Sequence, residues 1–211
     1  MENRIMELEV SPGRISFSKQ LNELDNLALD FAENLESAGI RYTVVSGYVA
    51  IMLGRMRASE YIDILVEEVD QERFARLWSA LSPRYECVQT ASPAVAFTDY
   101  LAQDSAVRFL VKGSTGPDVE VKFARKDHHL RSMASPIEVF INGRSLRIGP
   151  LELQIAHKLV LASDKDLEDA RYIYRLMKEH LDLGVLRREL RLLDVPLEVA
   201  TRELGAVGWS E

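Results

Sequence analysis

A chain of 211 residues, 47% hydrophobic and 28% charged, has enough apolar material for a packed core and too little polar excess for disorder away from its ends. Its net charge of −7 excludes a global basic field for nucleic acid and leaves only a local basic groove. The single cysteine, Cys87, excludes an intramolecular disulfide and a cysteine-built zinc cage. No apolar run approaches the roughly 18 residues of a membrane span, and the chain begins acidic and polar. The expectation is a soluble, cytoplasmic protein with no membrane contact.

Residues 1–15 read as irregular, broken at Ser11-Pro12-Gly13. Ser16 or Ser18 can cap a long helix to about Ala38, with Leu21, Leu24, Leu27, Phe31 and Leu35 at helical spacing and Gly39 as its stop. Arg41 to Val45 reads as a strand, Ser46-Gly47 as a turn, Tyr48 to Leu53 as a short helix and Tyr61 to Val66 as the next strand. Asp70 caps a helix through Leu81 that Pro83 ends. Tyr85 to Gln89 follows as a strand in which Cys87 is a packed small hydrophobe. Val107 to Val111 and Val119 to Phe123 flank a hairpin loop, and Asn142-Gly143 marks a second hairpin between Ile137–Ile141 and Ser145–Ile148. From Pro150 onward the pattern is helical: Leu151–Leu161, Asp164 to about Lys178, Leu183–Leu192 and Pro196–Leu204. The organisation is an α/β module over residues 1–149 and a helical tail over 150–211.

Two strands carry carboxylates. Residues two apart on a strand share a face, so Tyr61, Asp63 and Leu65 lie together, and Asp63 interrupts an apolar run where an unpaired carboxylate is costly. Either it points into a site or it pairs with Arg55 or Arg57. The later strand places Asp118, Glu120 and Lys122 on one face and Val119, Val121 and Phe123 on the other. Taken alone, that alternation reads as an exposed sheet edge with mixed charges. Acids from neighbouring strands can also hold Mg²⁺ and align an oxygen on an α-phosphate, while a glycine turn at a helix start offers backbone N–H groups to phosphate.

His128-His129 reads as a solvated loop, and His157 as a packed histidine on an apolar helix. Lys165, Asp166, Glu168, Asp169 and Arg171 suit ion pairing along a helix, with Lys165 or Asp169 bordering the site as the alternative. Arg187, Arg188 and Arg191 form a basic patch read as a solvated face. Trp209 is exposed unless the end of the chain docks.

Together, Ser46-Gly47-Tyr48-Val49-Ala50 and Arg57-Ala58-Ser59-Glu60-Tyr61-Ile62-Asp63-Ile64-Leu65-Val66 resemble the nucleotidyltransferase-fold superfamily. The order of parts is most similar to abortive-infection-toxin-like and minimal nucleotidyltransferase proteins of prokaryotes. That pattern runs strand, Gly-Ser turn, short helix, Arg-x-Thr, then Asp-x-Asp on a strand. The tail segments Pro150–Leu159 and Asp164–Asp169 resemble the family's helical pair. The resemblance implies a mixed α/β sheet flanked by helices with a C-terminal helical bundle. It also implies a bound nucleoside triphosphate with Mg²⁺, and transfer of a nucleoside monophosphate to a hydroxyl of RNA, a protein or a small molecule. Ser46, Gly47, Arg57 and Ser59 would face the nucleotide. Asp63 and Glu120 would be catalytic and bind metal, with Asp118 as the rival third acid and Lys158 turned toward the site. The sequence departs from the pattern where Tyr61 takes the place of the first acid and the turn reads Ser-Gly. The alternative is therefore a catalytically degenerate nucleotide- or protein-binding module, toxin–antitoxin-like, acting as a homodimer or with a cognate partner.

Overall fold

The computed structural model describes residues 7–205, so Trp209 lies outside the described residues. Nine strands form one sheet: β1 (Glu9–Ser11), β2 (Arg14–Phe17), β3 (Tyr42–Val45), β4 (Tyr61–Val66), β5 (Tyr85–Cys87), β6 (Val107–Val111), β7 (Asp118–Phe123), β8 (Ile137–Ile141) and β9 (Arg144–Ile148). Their spatial order is β1-β2-β8-β9-β3-β4-β7-β6-β5. The pairs β2·β8, β9·β3 and β4·β7 are parallel and the others antiparallel. Mixed sheets of this size need helices on their faces, and the helices here supply them.

The stretch from residue 9 is not irregular. Ile15 and Phe17 alternate with polar neighbours, and β2 adds in parallel beside β8 with both apolar side chains buried. The first helix, α1 (Glu23–Ser37), consequently begins later than Ser16 or Ser18. Its start is fixed by a capping box, in which Asn22 accepts from Asp25 N–H and Asp25 accepts from Asn22 N–H. Asp25 is fully buried but satisfied, since Lys19 (2.7 Å) and the Tyr48 hydroxyl (2.9 Å) also reach it. Tyr48 belongs to α2 (Gly47–Met52), so this network ties the first helix to the turn at Ser46.

α1 and α3 (Gln71–Leu81, capped by Asp70) cover one face of the sheet. Phe31 packs edge-on against Tyr85, and Trp78 edge-on against Phe109. A helical turn α4 (Pro93–Val95) widens into a π turn over Ala96–Tyr100, whose Phe97 meets Phe74 and Phe123. Edge-on aromatic contacts of this kind add about 0.5–1.5 kcal/mol each to the burial itself.

The opposite face, bearing Thr43, Asp63 and Glu120, is covered by α5 (Asp127–Ala134). His128 and His129 thus lie on a helix and not in a solvated loop. Asn142 and Gly143 carry φ of 52° and 84°, the left-handed pair that a two-residue hairpin requires. Beyond Pro150, α6 (Leu151–Leu161) packs on α7 (Asp164–Met177) and α8 (Leu183–Leu192), and α9 (Leu197–Leu204) packs on α7. α7 reaches back to α2, where the Tyr172 hydroxyl donates to Leu53 O at 2.9 Å. Among the described residues no helix is long and apolar enough to cross a membrane.

Candidate active site

β4 and β7 run parallel in a register that makes Asp63 and Glu120 direct partners, with Tyr61 opposite Asp118. Adjacent strands lie about 4.8 Å apart, so two carboxylates on the same face of partnered residues are held side by side by the backbone alone. The strand bearing Asp118, Glu120 and Lys122 is interior, between β4 and β6, and not an exposed edge. Arg55 and Arg57 do not pair with Asp63; both turn to the buried Asp169 on α7, Arg57 with Nε at 3.0 Å and Nη2 at 2.8 Å.

Burial, followed by the charge of Glu120, pushes the Asp63 carboxyl up to about 6, while a hydrogen bond from Ser46 and the field of Lys158 act the other way. Burial also raises Glu120, partly offset by Arg108. Asp118 is taken by the Arg108 guanidinium, and its Oδ1 is buried with no partner among the described residues. Asp63 and Glu120 therefore face a common cavity of about 290 Å³, and Asp118 does not line it.

Ser46 stands at the end of β3 with φ 67° and ψ −138°, a region close to glycine's own. Its N–H donates to Gln154 Oε1 at 3.0 Å and its hydroxyl to Asp63, so α6 and β4 hold the turn in this conformation. Ser46 thus holds a conformation that glycine adopts more readily. Gly47 is packed against Arg57, whose guanidinium a Cβ at 47 would strike. Ser59 donates its hydroxyl to Tyr61 O at 3.0 Å.

Ser46, Gly47, Arg57, Ser59 and Tyr61 line a second cavity, of about 430 Å³, on the other side of the turn. Lys158 reaches neither cavity. Its buried amine ends on Asp169 (2.6 Å) and Asp166 (3.2 Å), so it acts on Asp63 through its field alone. The Asp166–Asp169 segment pairs across elements, with Arg55, Arg57 and Lys158, more than along its own helix.

Sequence reasoning missed one wall of the first cavity. His128 and His129 from α5 and His157 from α6 meet there, with rings 4.4 Å (His128–His129) and 5.0 Å (His128–His157) apart, the latter pair stacked at 26°. Burial lowers all three, His129 to about 4. Gln154 and His157, three residues apart on an apolar helix, share one face and were the available signal.

Among the described residues, no group of three or more His, Cys, Asp or Glu side chains is arranged to hold a metal. The donor set suits one hard cation of the Mg²⁺ type, which commonly takes one or two carboxylates and completes its shell with water and phosphate. Two half-buried carboxylates side by side, one of them raised to about 6, create the electrostatic demand for such a charge. Tyr61, in the place of a first acid, supplies no ligand suited to neutral pH.

No protein-family model matches the sequence, and no curated protein matches it. Among solved structures, it is similar to an antigenic nucleotidyltransferase-like protein from Paracoccidioides brasiliensis, with TM-score 0.54 and 16% identity over 88% of this chain and 94% of that one. Lesser similarity extends to a CCA-adding enzyme in complex with ATP (TM-score 0.36, 15% identity, 85% of this chain and 50% of that one). A Thermotoga maritima CCA-adding enzyme complexed with tRNA gives TM-score 0.38 and 13% identity, over 84% of this chain and 52% of that one. The chain thus spans about half the length of those two enzymes. The first similarity carries the conclusion: the fold is nucleotidyltransferase-like, a mixed α/β sheet flanked by helices, as the sequence resemblance implies.

Proposed function

We propose that this protein binds a nucleoside triphosphate with Mg²⁺ and transfers its nucleoside monophosphate to a hydroxyl. The observation that carries this is the in-register pair Asp63–Glu120 at the mouth of one cavity, joined to the Ser46 turn by a hydrogen bond. Asp63 and Glu120 would hold the cation, which when bound neutralises charge on the phosphates. Ser46, Gly47, Arg57 and Ser59 would take the nucleotide in the second cavity, where Lys165 is the cation at hand beside an Arg57 held by Asp169 and the carboxylates Glu60 and Asp166. In the transfer, the acceptor oxygen forms a bond to the α-phosphorus and the bond to the β-phosphate oxygen breaks. Pyrophosphate leaves with the electron pair. The hydroxyl proton passes to solvent, since both carboxylates are engaged with the cation. Positioning and charge neutralisation would supply most of the rate. The division near residue 149 belongs to the same proposal: the α/β part supplies the acids, and the helical tail supplies Gln154 and Asp169.

Tyr61 favours a second reading, a descendant of this fold that keeps nucleotide binding without transfer, acting with a partner as toxin–antitoxin-like proteins do. Calorimetry with each nucleoside triphosphate and Mg²⁺, alongside transfer of an α-labelled nucleotide, separates the two. Binding lost in Glu120→Ala together with measurable transfer supports the enzyme. Binding without transfer, with transfer gained in Tyr61→Asp, supports the degenerate site. Absence of binding at millimolar nucleotide removes both.

A further inference from the structure

The two cavities that meet at the Ser46 turn differ in charge. The second is lined by two cations, Arg57 and Lys165, and by two carboxylates, Glu60 and Asp166. The first holds two carboxylates, Asp63 and Glu120, and one cation, Lys122, which lies 3.9 Å from Asp104. Before a cation binds, a polyanion entering the first cavity would meet two carboxylates against Lys122, with Arg108 at 3.5 Å from Glu120 as the further counter-charge. The rest of that wall is uncharged and flat. The stacked rings of His128 and His157 present imidazole beside Val45, Leu65 and Leu153. Burial, with Lys122 and Lys126 nearby, holds these imidazoles below their ordinary range, and so they are neutral at pH 7. His129 Nδ1 is buried and has no hydrogen-bond partner among the described residues.

We infer that the imidazole-walled cavity is the acceptor subsite, and that it takes a small, uncharged hydroxyl compound with a flat ring, of nucleoside size. The ring lies against the His128–His157 face, and the hydroxyl turns to Asp63 and Glu120. This deepens the transfer reading and rests on it for the direction of the hydroxyl. The cavity's chemistry stands by itself.

Adenosine and uridine serve as probes. Histidine side-chain resonances of the full chain are followed by NMR during titration with each nucleoside, and with tetra-adenylate as the polyanionic control. The expected result is movement of the imidazole resonances by a nucleoside and none by tetra-adenylate. His157→Ala should weaken nucleoside binding about tenfold, the scale of one lost ring contact, and leave ATP·Mg²⁺ affinity unchanged by calorimetry. Imidazoles unmoved by both nucleosides overturn the inference. Tighter binding of tetra-adenylate overturns it in favour of a nucleic-acid acceptor. Loss of ATP·Mg²⁺ binding in His157→Ala overturns it by making this cavity the nucleotide's own. If the nucleosides move the imidazoles while ATP·Mg²⁺ fails to bind the wild type, the subsite stands and the transfer reading falls.

Discussion

Replacing Asp63 with asparagine is expected to stabilise the ligand-free protein at neutral and alkaline pH while removing its chemistry. Asp63 sits at about 6 against an ordinary 3.8, because burial and Glu120 both disfavour its charge. At ~1.36 kcal/mol per pKa unit, holding it ionised costs the folded state about 3 kcal/mol. The sign follows from linkage. A carboxyl whose folded value lies above its unfolded one gives stability that is complete below about 4 and lost as pH rises through about 6. Asparagine is isosteric, still accepts the Ser46 hydroxyl and has no charge to lose. Asp63→Asn should therefore raise the melting temperature at pH 8 by roughly 6–12 °C, from about 2–4 °C per kcal/mol at this chain length, and leave it unchanged at pH 4. Thermal scans of both proteins at the two pH values make the measurement. A gain of the same size at pH 4, or a loss at pH 8, would refute the assignment of the strain to the ionised carboxylate. Adding Mg²⁺ at pH 8 should stabilise the wild type more than Asp63→Asn, since only the wild type offers both acids.

Ser46→Gly and Ser46→Ala both lose the bond to Asp63, but only glycine relieves the positive φ, so Ser46→Gly should be the more stable of the two by about 1 kcal/mol. Urea titrations that rank alanine above glycine would deny the backbone its role. Gly47→Ala forces the Arg57 guanidinium from its two bonds to Asp169 and should cost about 1–3 kcal/mol, visible as a lower urea midpoint. Unaltered stability would mean that Arg57 swings aside freely. Asp169→Asn leaves Arg55, Arg57 and Lys158 without their shared buried counter-charge and should cost about 3–5 kcal/mol. A loss below about 1 kcal/mol in the same assay would show that Asp166 and Glu168 suffice as counter-charges.

The elements nearest the acids were legible because each carries its own punctuation. β4 matches its apolar run, α3 its Asp70 cap, and the β8–β9 hairpin its Asn142-Gly143 pair. The convergence of Asp63 and Glu120 in one cavity, expected from the resemblance, is set by a parallel register that periodicity alone cannot give. What failed was long-range. β2 resembled the start of a helix because Ile15 and Phe17 make sense as a strand only beside β8, which follows more than 100 residues later. His128 and His129 looked solvated because His157, the ring that completes their wall, arrives from another helix. Lys158 and Asp118 each found an opposite charge that sequence spacing did not reveal, Asp169 and Arg108 respectively.

The same electrostatics bear on Tyr61. Its phenol is held above its ordinary range first by Asp63 and then by burial, so it remains a neutral neighbour to two acids. A third carboxylate at that position, beside Asp63 and opposite Asp118, would raise the cost of the ligand-free fold and could be offset only by more bound cation. A tyrosine lowers that cost and with it the number of cations the pocket can demand. Tyr61 and a donor set suited to one cation therefore have a common cause, the charge that this strand pair can carry.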